Sequence, residues 1–369
     1  MADPWFQVAD LDNIPSPSLL IYPERVEENI RRLITLAGSP DRLRPHVKTH
    51  KMPELIKRQL RQGINKFKCA TIAEAEMCAT VGAPDILLAY QPVGPNINRL
   101  RQLTEKFPDV RFGAVVDTPS IVTDLEGAFL DAPRKLSVYL DLDCGMHRTG
   151  IEPGGRALDL YRSIDQSEVL EVGGLHAYDG HNHEQDLDQR TTKCEVDFQI
   201  IRALAEELRE EGMSVPEIVA GGSPTLPIHL KHPDVTCSPG TVFLWDYGYG
   251  MGLPDLNFQV AALVLTRVVS RPSRNRVCVD LGHKAVAAEN PHPRVRFLNL
   301  LDGEAVMQSE EHLVIESLNA EYARVGDVLY GVPRHICPTV ALHDRAYVIE
   351  DGRLTGEWEI TARDRRLTI

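Results

Sequence analysis

The feature that most constrains the fold is an alternation of short β-rich runs with segments of helical period. The runs that predict strands are 43–49, 66–72, 85–91, 111–117, 136–143, 172–178, 217–222 and 235–240, and the longest helical segment between them is 189–212. Strands that alternate with helices pair in parallel through right-handed crossovers, and eight such units over about 200 residues match a closed (β/α)8 barrel of the TIM type. An open doubly wound sheet is the alternative. It is disfavoured because no G-x-G-x-x-G turn follows an early strand.

The pattern changes after residue 253, where long helical periods disappear. The later runs are strand-like and are separated by turn signals such as the Asp-Gly pairs at 302–303 and 351–352. We therefore expect an α/β barrel domain over residues 20–252 and an all-β C-terminal domain over residues 253–369. Residues 1–19 lead into the strand-like SLLIY at 18–22 and are expected to join the C-terminal domain.

Composition and charge argue against several classes of protein. The net charge of −13 argues against nucleic acid or an anionic membrane as a partner, because phosphate binding needs a positive surface. No apolar run reaches the ~18 residues of a membrane span, and the start of the chain lacks the basic and apolar regions of a signal peptide. The seven cysteines are scattered without a C-x-x-C pair, which favours a reducing cytoplasm over a disulfide framework.

A cluster of basic side chains follows the first predicted strand, where residues 43–51 read LRPHVKTHK. If this stretch is extended, His46, Lys48 and His50 point to one face, because side chains alternate along a strand. Barrel active sites lie at the C-terminal ends of the strands. A lysine there can form a Schiff base when burial and cationic neighbours lower its pKa. The alternative is a solvated lysine on a β/α loop.

Other predicted strand ends carry groups that suit a phosphorylated cofactor. The seventh strand ends in AGGSPTLP (220–227) and the eighth in SPGT (238–241), which offer hydroxyls and backbone N–H groups to an anion. A tight turn with an N-cap serine is the alternative. The fifth strand ends near Arg148 and the sixth near Tyr178. A lysine, phosphate loops and an arginine on one rim together suggest pyridoxal 5′-phosphate, which acts as an electron sink for a carbanion at an amino acid's Cα.

Four motifs in this order resemble one known family over nearly the whole chain. They are RPHVKTHK (44–51), D-x-D-x-G-x-x-R-T-G (141–150), GGSPT (221–225) and PRHICPT (333–339). The chain resembles the D-threonine aldolase and D-serine dehydratase family, the fold-type III pyridoxal-phosphate enzymes related to alanine racemase. The resemblance implies an alanine racemase-like fold, in which a pyridoxal-phosphate barrel is followed by a β domain.

The resemblance also implies roles for individual residues. Lys48 would hold the cofactor as a Schiff base, Arg148 would face its ring or oxygen, and Tyr178 would flank cofactor or substrate. His46 and His50 either tune Lys48 or pack against the cofactor; we count His46 with the cofactor-binding residues and His50, with Lys48 and Tyr178, among the catalytic ones. The residues expected around the phosphate are Gly222, Ser223, Thr225, Gly240 and Thr241.

The resemblance further implies a divalent metal bound by His335 and Cys337. One residue separates them, so an extended stretch presents both to one side, and two protein ligands leave positions open for water and substrate. Imidazole with thiolate favours zinc, whereas an aspartate in place of Cys337 would suit manganese or magnesium better. A core cysteine beside a structural histidine is the alternative.

Several polar residues remain ambiguous at this stage. His181 and His183 form an H-x-H that could bind metal, but both fall on a loop that we expect to be exposed, so we take them as substrate-side or solvated groups. Asp280 and Lys284, in VDLGHK, are expected only to shape the domain interface.

The function hypothesis is a metal-dependent lyase of D-3-hydroxy amino acids, D-threonine aldolase-like, which cleaves Cα–Cβ to give glycine and an aldehyde. The close alternative is a D-serine or D-threo-3-hydroxyaspartate dehydratase, which gives a keto acid and ammonia. An amino acid racemase and a non-catalytic binding protein for pyridoxal phosphate are further alternatives. Family members form dimers with active sites that use both subunits, so a cytoplasmic homodimer is expected.

Overall fold

The computed structural model describes residues 4–369, which form two compact units. The barrel unit comprises Leu33–Lys48, Ile56–Gly240 and Asp364–Ile369, and the β unit comprises residues up to Arg32, Thr49–Leu55 and Thr241–Arg363. The two units interleave along the chain, and the domain boundary expected at residue 252 stays a prediction. No helix within residues 4–369 is long and apolar enough to cross a membrane.

In the barrel unit, strands and helices alternate as the sequence pattern predicts, except that residues 43–49 form no regular strand. The strands are β1 (Ser18–Ile21), β2 (Lys66–Cys69), β3 (Asp85–Leu88), β4 (Arg111–Val116), β5 (Leu136–Leu142), β6 (Leu170–Ala177), β7 (Ile218–Ala220), β8 (Val235–Cys237), β9 (Ala262–Ser273), β10 (Arg276–Val279), β11 (Val295–Phe297), β12 (Glu304–Gln308), β13 (Leu313–Glu316), β14 (Val328–Pro333), β15 (Arg345–Glu350) and β16 (Arg353–Glu359). The helices are α1 (Pro23–Ala37), α2 (Pro53–Arg61), α3 (Ile72–Thr80), α4 (Pro95–Lys106), α5 (Pro119–Phe129), α6 (Gly155–Asp165), α7 (Leu187–Glu210), α8 (Leu226–His229), α9 (Tyr247–Gly252) and α10 (Ile336–Ala341).

The barrel unit contains a parallel sheet of seven strands in the order β2-β3-β4-β5-β6-β7-β8. Residues 43–46 occupy the place between β8 and β2, where Leu43 forms a parallel bridge to Cys237 and His46 forms one to Lys68. The predicted α/β barrel is therefore confirmed, but the prediction of a regular strand over 43–49 is wrong. Pro45 lacks the N–H that a strand would donate, and Val47–Thr49 form a 3-10 turn. His46, Lys48 and His50 consequently do not share one strand face.

Apolar side chains on both faces explain why the parallel strands are almost wholly buried. Every residue of β5 is buried, as expected for a strand with the barrel interior on one side and helices on the other. Inside the barrel, Leu87, Val115, Tyr139 and Val219 form one apolar cluster. These strands hold their carboxyl ends together at one end of the barrel, where active sites of such folds lie.

The β unit is built on a sheet with the strand order β12-β13-β10-β9-β1-β15-β16. β14 also pairs with β9, and β11 pairs with β14. β1, which carries the strand-like SLLI, pairs antiparallel with β9 and parallel with β15. The apolar core of the β unit includes Leu20, Leu263, Leu265, Tyr330 and Ile349. The expected β-rich C-terminal region is thus confirmed.

Candidate active site

A cavity of about 580 Å³ opens among the strand ends of the barrel unit. This volume suits a cofactor with a small substrate. The polar residues that line it come from residues 46–48 and from the ends of β2, β3, β4, β5 and β6. They are His46, Lys48, Lys68, Tyr90, Gln91, Asp117, Asp141, Arg148, Thr149, His176 and Tyr178. The structure therefore brings together four of the residues singled out in the sequence, namely His46, Lys48, Arg148 and Tyr178.

The ring of Tyr178 is the common neighbour of three cationic side chains. Lys48 Nζ lies 5.7 Å from the ring centroid, Lys68 Nζ 5.5 Å and Arg148 Cζ 5.2 Å. Each distance is within the range of a cation–π contact. The ring packs closely on the backbone, because a Cβ built on Gly180 would lie 2.4 Å from it. Tyr178 is thus held in place beside the amine of Lys48.

Sequence reasoning missed a hydrogen-bonded row of Lys68, His176 and Asp141. His176 Nδ1 lies 2.6 Å from Asp141 Oδ1, and His176 Nε2 lies 3.4 Å from Lys68 Nζ. The carboxylate fixes the proton on Nδ1, so Nε2 accepts from the lysine. Burial, together with the positive charge of Lys48, lowers the pKa of Lys68 to about 7. Burial also lowers the pKa of His176.

The two histidines beside Lys48 occupy different surroundings. His46 lines the cavity, and its Nδ1 accepts a hydrogen bond from the backbone N–H of Lys48 at 3.4 Å. Burial and the nearby Lys48 and Lys68 lower the pKa of His46 well below its usual value, so this ring is neutral. His50 belongs to the β unit and does not line the cavity; its Nδ1 accepts from Met52 N at 3.1 Å. A catalytic role for His50 stays a prediction.

The loops after β7 and β8 fit the phosphate of a cofactor. Ser223 Oγ accepts from Gly240 N at 3.3 Å, which ties the two loops together and leaves its proton free to be donated. Ser238 Oγ is buried and has no partner among the described residues. A buried hydroxyl without a partner is costly unless a ligand supplies one. Gly222 lies against Tyr178, since its Cβ position is 3.2 Å from the ring.

His335 and Cys337 lie at the start of α10, in the β unit, where each shifts the pKa of the other. The hydroxyls of Thr49 and Thr241 lie 3.2 Å and 3.4 Å from Cys337 Sγ, and Glu289 Oε1 lies 2.6 Å from His335 Nδ1. Burial favours the neutral forms of both side chains, because it lowers the pKa of His335 and raises that of Cys337. Interaction with Cys337, the hydrogen bond to Glu289 and the charge of Asp246 nevertheless raise the pKa of His335 to about 9, and His335 lowers the pKa of Cys337.

The pair fits a metal ion by the chemistry of its donors. An imidazole and a thiolate stand together, and a carboxylate holds the other ring nitrogen, which is the usual second partner of a metal-binding histidine. Thr241, which we expected near the phosphate, is engaged with Cys337 within the β unit.

Three other polar residues singled out in the sequence have partners of their own. His181 Nε2 pairs with Asp197 Oδ2 at 2.8 Å, and Lys284 pairs with Glu310 and Glu311 on the surface. Asp280 accepts from Ser16 and Thr266 within the β unit. Among the described residues, Asp179, Cys194 and His229 alone form a group of three potential metal ligands within 4.8 Å of one another.

A parallel barrel with a lysine and two serine-bearing loops at its strand ends, together with a β-rich unit, is typical of an alanine racemase-like enzyme fold. Residues 21–245 match the family described as alanine racemase, N-terminal domain, and residues 261–349 match a serine dehydratase domain. The chain therefore belongs to the family of the alanine racemase N-terminal domain, within its D-threonine aldolase branch. The resemblance seen in the sequence is confirmed, and the protein is an enzyme.

Two relatives and one solved structure document this relationship. The chain is 30% identical to the D-threonine aldolase of Arthrobacter sp, over 96% of this chain and 94% of the relative. It is 26% identical to the 3-hydroxy-D-aspartate aldolase of Paracoccus denitrificans (strain Pd 1222), with the same coverage. The crystal structure of D-threonine aldolase from Filomicrobium marinum superposes with a TM-score of 0.88 at 26% identity, covering 95% of this chain and 96% of that chain.

Proposed function

We propose that this protein is a lyase dependent on pyridoxal phosphate and a divalent metal, which cleaves D-3-hydroxy amino acids to glycine and an aldehyde. The observation that carries the proposal is the amine of Lys48 beside the face of Tyr178, in a cavity at the strand ends of the barrel. The aldolase activities in the names of the two relatives support the choice of reaction.

Each residue of the cavity has a distinct task in this proposal. Lys48 would hold the aldehyde carbon of the cofactor, while Ser223 and Ser238 would donate hydrogen bonds to its phosphate. Tyr178 would pack against the cofactor, and Arg148 would bind an anionic oxygen of cofactor or substrate. When bound, pyridoxal phosphate withdraws electrons from the bond that breaks at Cα of the substrate.

We assign the metal to His335 and Cys337 of the β unit. Soft thiolate with imidazole favours zinc over manganese or magnesium. Glu289 would keep the proton on His335 Nδ1 and so leave Nε2 as the ligand atom. A metal at this pair would act as a Lewis acid toward a substrate oxygen.

Product analysis on D-threonine and D-serine tests the proposal directly. The purified enzyme is incubated with each amino acid, with and without a chelator, and the products are identified. We expect glycine and acetaldehyde from D-threonine, and loss of this activity with the chelator. Release of only keto acid and ammonia would refute the aldolase assignment. Interconversion of enantiomers that survives the chelator would indicate a racemase instead.

The second candidate function is dehydration of a D-3-hydroxy amino acid to a keto acid and ammonia. It is favoured by Cys337, because imidazole with thiolate favours zinc rather than the manganese or magnesium that an aspartate at this position would suit. The match of residues 261–349 to a serine dehydratase domain supports it as well. The same assay separates the two, since ammonia forms only in dehydration.

We also propose a homodimer, as the family resemblance implies. Light scattering should then give a mass near twice the 41.2 kDa of one chain, and a mass of one chain would refute the dimer.

A further inference from the structure

A buried carboxylate behind the proposed phosphate site connects three elements of the barrel unit. Asp179 follows Tyr178 in the loop after β6, and only 3% of it is exposed. Its Oδ1 accepts from Thr225 Oγ1 at 2.8 Å, and its Oδ2 accepts from His229 Nε2 at 2.8 Å and from Cys194 Sγ at 3.3 Å. Thr225 is the N-cap of α8 and His229 is its last residue, while Cys194 belongs to α7. None of these contacts uses a residue that lines the cavity.

These bonds determine what Thr225 can do. A hydroxyl carries one proton, and Thr225 donates that proton to Asp179. The Thr225 oxygen can then only accept, and it accepts a hydrogen bond from the backbone N–H of Gly222 at 3.3 Å. Thr225 therefore shapes the loop 221–225 from behind, and the proton for a phosphate oxygen must come from another residue. Ser223 and Ser238 have protons that no described residue accepts.

The packing around Gly221 locks the same loop. Gly221 has φ +73°, a conformation that favours glycine. A Cβ at this position would lie 2.6 Å from His229 Cδ2 and 2.9 Å from Thr225 Oγ1. The two side chains that Asp179 holds thus fill the space beside Gly221. The loop conformation depends on both of them staying where Asp179 places them.

We propose that Asp179 is a positioning residue, which holds Thr225 and His229 and through them keeps the loop 221–225 in the shape that binds the cofactor's phosphate. This inference rests on the proposed function, because it assumes that the cofactor is pyridoxal phosphate. It assigns Thr225 a supporting role behind the loop. The direct donors to the phosphate are then Ser223, Ser238 and backbone N–H groups.

A zinc site is the rival explanation for Asp179, Cys194 and His229. The Asp179 carboxylate already has three donors at hydrogen-bond distances, so its two oxygens are satisfied without an ion. Burial and the charge of Asp179 raise the pKa of the Cys194 thiol, which keeps it a donor. Burial alone would raise the pKa of the Asp179 carboxyl, but its interactions with His229, Thr225 and Cys194 lower that pKa below its usual value. Both directions agree with a hydrogen-bonded cluster.

The test compares binding of pyridoxal phosphate with binding of pyridoxal, which lacks the phosphate. Both are titrated into the full-length protein freed of cofactor, and absorbance reports the imine with Lys48. We expect Asp179→Asn to weaken pyridoxal phosphate at least tenfold and pyridoxal less than twofold. Asp197→Asn is the matched control, because Asp197 pairs with His181 and Asn182 in the same region, and it should change neither.

A second pair of variants covers the case in which Asp179→Asn does not fold. Thr225→Ser keeps the hydroxyl and should retain tight binding of pyridoxal phosphate. Thr225→Val removes the hydroxyl but keeps a side chain of similar size, and its affinity for pyridoxal phosphate should fall tenfold or more. Equal losses for both ligands, or no loss, would overturn the proposal. If the wild-type protein binds neither ligand, the proposed function itself fails.

Metal analysis separates the rival explanation. The double variant His335→Ala/Cys337→Ala should contain no zinc. One equivalent that remains in this variant and disappears with Cys194→Ser would show that the cluster is a metal site, and the positioning role would be refuted.

Discussion

Two lysine amines lie near the ring of Tyr178, and a labelling experiment can show which of them forms the imine with the cofactor. Lys48 Nζ and Lys68 Nζ lie 5.7 Å and 5.5 Å from the ring centroid. Lys68 is engaged with His176, whereas Lys48 stands in the turn that opens the cavity. We therefore expect borohydride to fix the cofactor on Lys48, as read by peptide mapping. The imine absorbance should be lost in Lys48→Ala and kept in Lys68→Met; a tag on Lys68 would refute the assignment.

The charge of Lys68 predicts a specific dependence of stability on pH. Its pKa is about 7 in the folded protein, against ~10.4 in an unfolded chain. Between these pH values the unfolded chain holds one more proton, so the contribution of Lys68 to the free energy of unfolding rises with pH. The cost of burying the ammonium group is complete below about pH 7 and is relieved above it.

Lys68→Met removes the titrating amine, so the difference in stability between the variant and wild type isolates the contribution of Lys68. The stability of the variant relative to wild type should be highest at acid pH and should fall by on the order of 4 kcal/mol toward pH ~10. Urea unfolding of the cofactor-free protein at several pH values measures the difference. A difference that does not vary with pH would contradict the assigned pKa, and Lys57→Met on α2 provides a control outside the cavity.

The sequence predicts a role for a residue only where that residue lies at a predicted strand end or in a recognised motif. Lys48, Arg148 and Tyr178 were found because strand ends of a barrel meet. Lys68 was missed because a lysine within a short strand normally faces solvent, and nothing in the chain order signals that His176 accepts from it. Ser238 was identified only as part of a loop, since its lack of a partner depends on packing.

At the scale of elements, the segment 43–46 shows how a barrel closes without a full strand. Arg44 N donates to Cys237 O, and His46 N donates to Pro239 O. The alternation of strands and helices predicts this place in the barrel. It does not predict that Pro45 and the 3-10 turn after it shorten the pairing to two bridges. Side chains must therefore contribute to closure.

Arg44 supplies the main side-chain contribution. It is fully buried, and it donates to Asp85 Oδ1 at 2.6 Å and to Glu217 Oε2 at 2.8 Å. Removal of one partner from a buried ion pair leaves charge without compensation and costs about 3–5 kcal/mol. We expect Arg44→Met to lower the free energy of unfolding by this amount in urea denaturation.

Arg111 is the matched control for this prediction. It also approaches Asp85, at 3.5 Å, but its side chain is 46% exposed. Exposed ion pairs contribute about 0–1 kcal/mol, so Arg111→Met should have a small effect. Equal effects of the two substitutions would mean that burial of Arg44 does not determine its contribution.

At the scale of the whole molecule, the two units interleave in a way that the sequence does not reveal. The loss of helical period after residue 253 indicates a β-rich region, because strand and helix periods differ along the chain. Residues 49–55 nevertheless belong to the β unit although they follow the segment that closes the barrel. Membership of a unit depends on long-range contacts, and local periodicity carries no information about them.

This division predicts that metal and cofactor can be removed separately. Lys48 and the loop 221–225 belong to the barrel unit, whereas His335 and Cys337 belong to the β unit. We expect Cys337→Ala to lose the metal and the lyase activity while its affinity for pyridoxal phosphate changes less than twofold. Cys278→Ala, at a buried cysteine of β10 that is not part of the His335–Cys337 pair, should keep both. Metal content by elemental analysis and cofactor content by absorbance give the two readouts. Full activity of Cys337→Ala in the presence of a chelator would show that the reaction needs no metal at this pair.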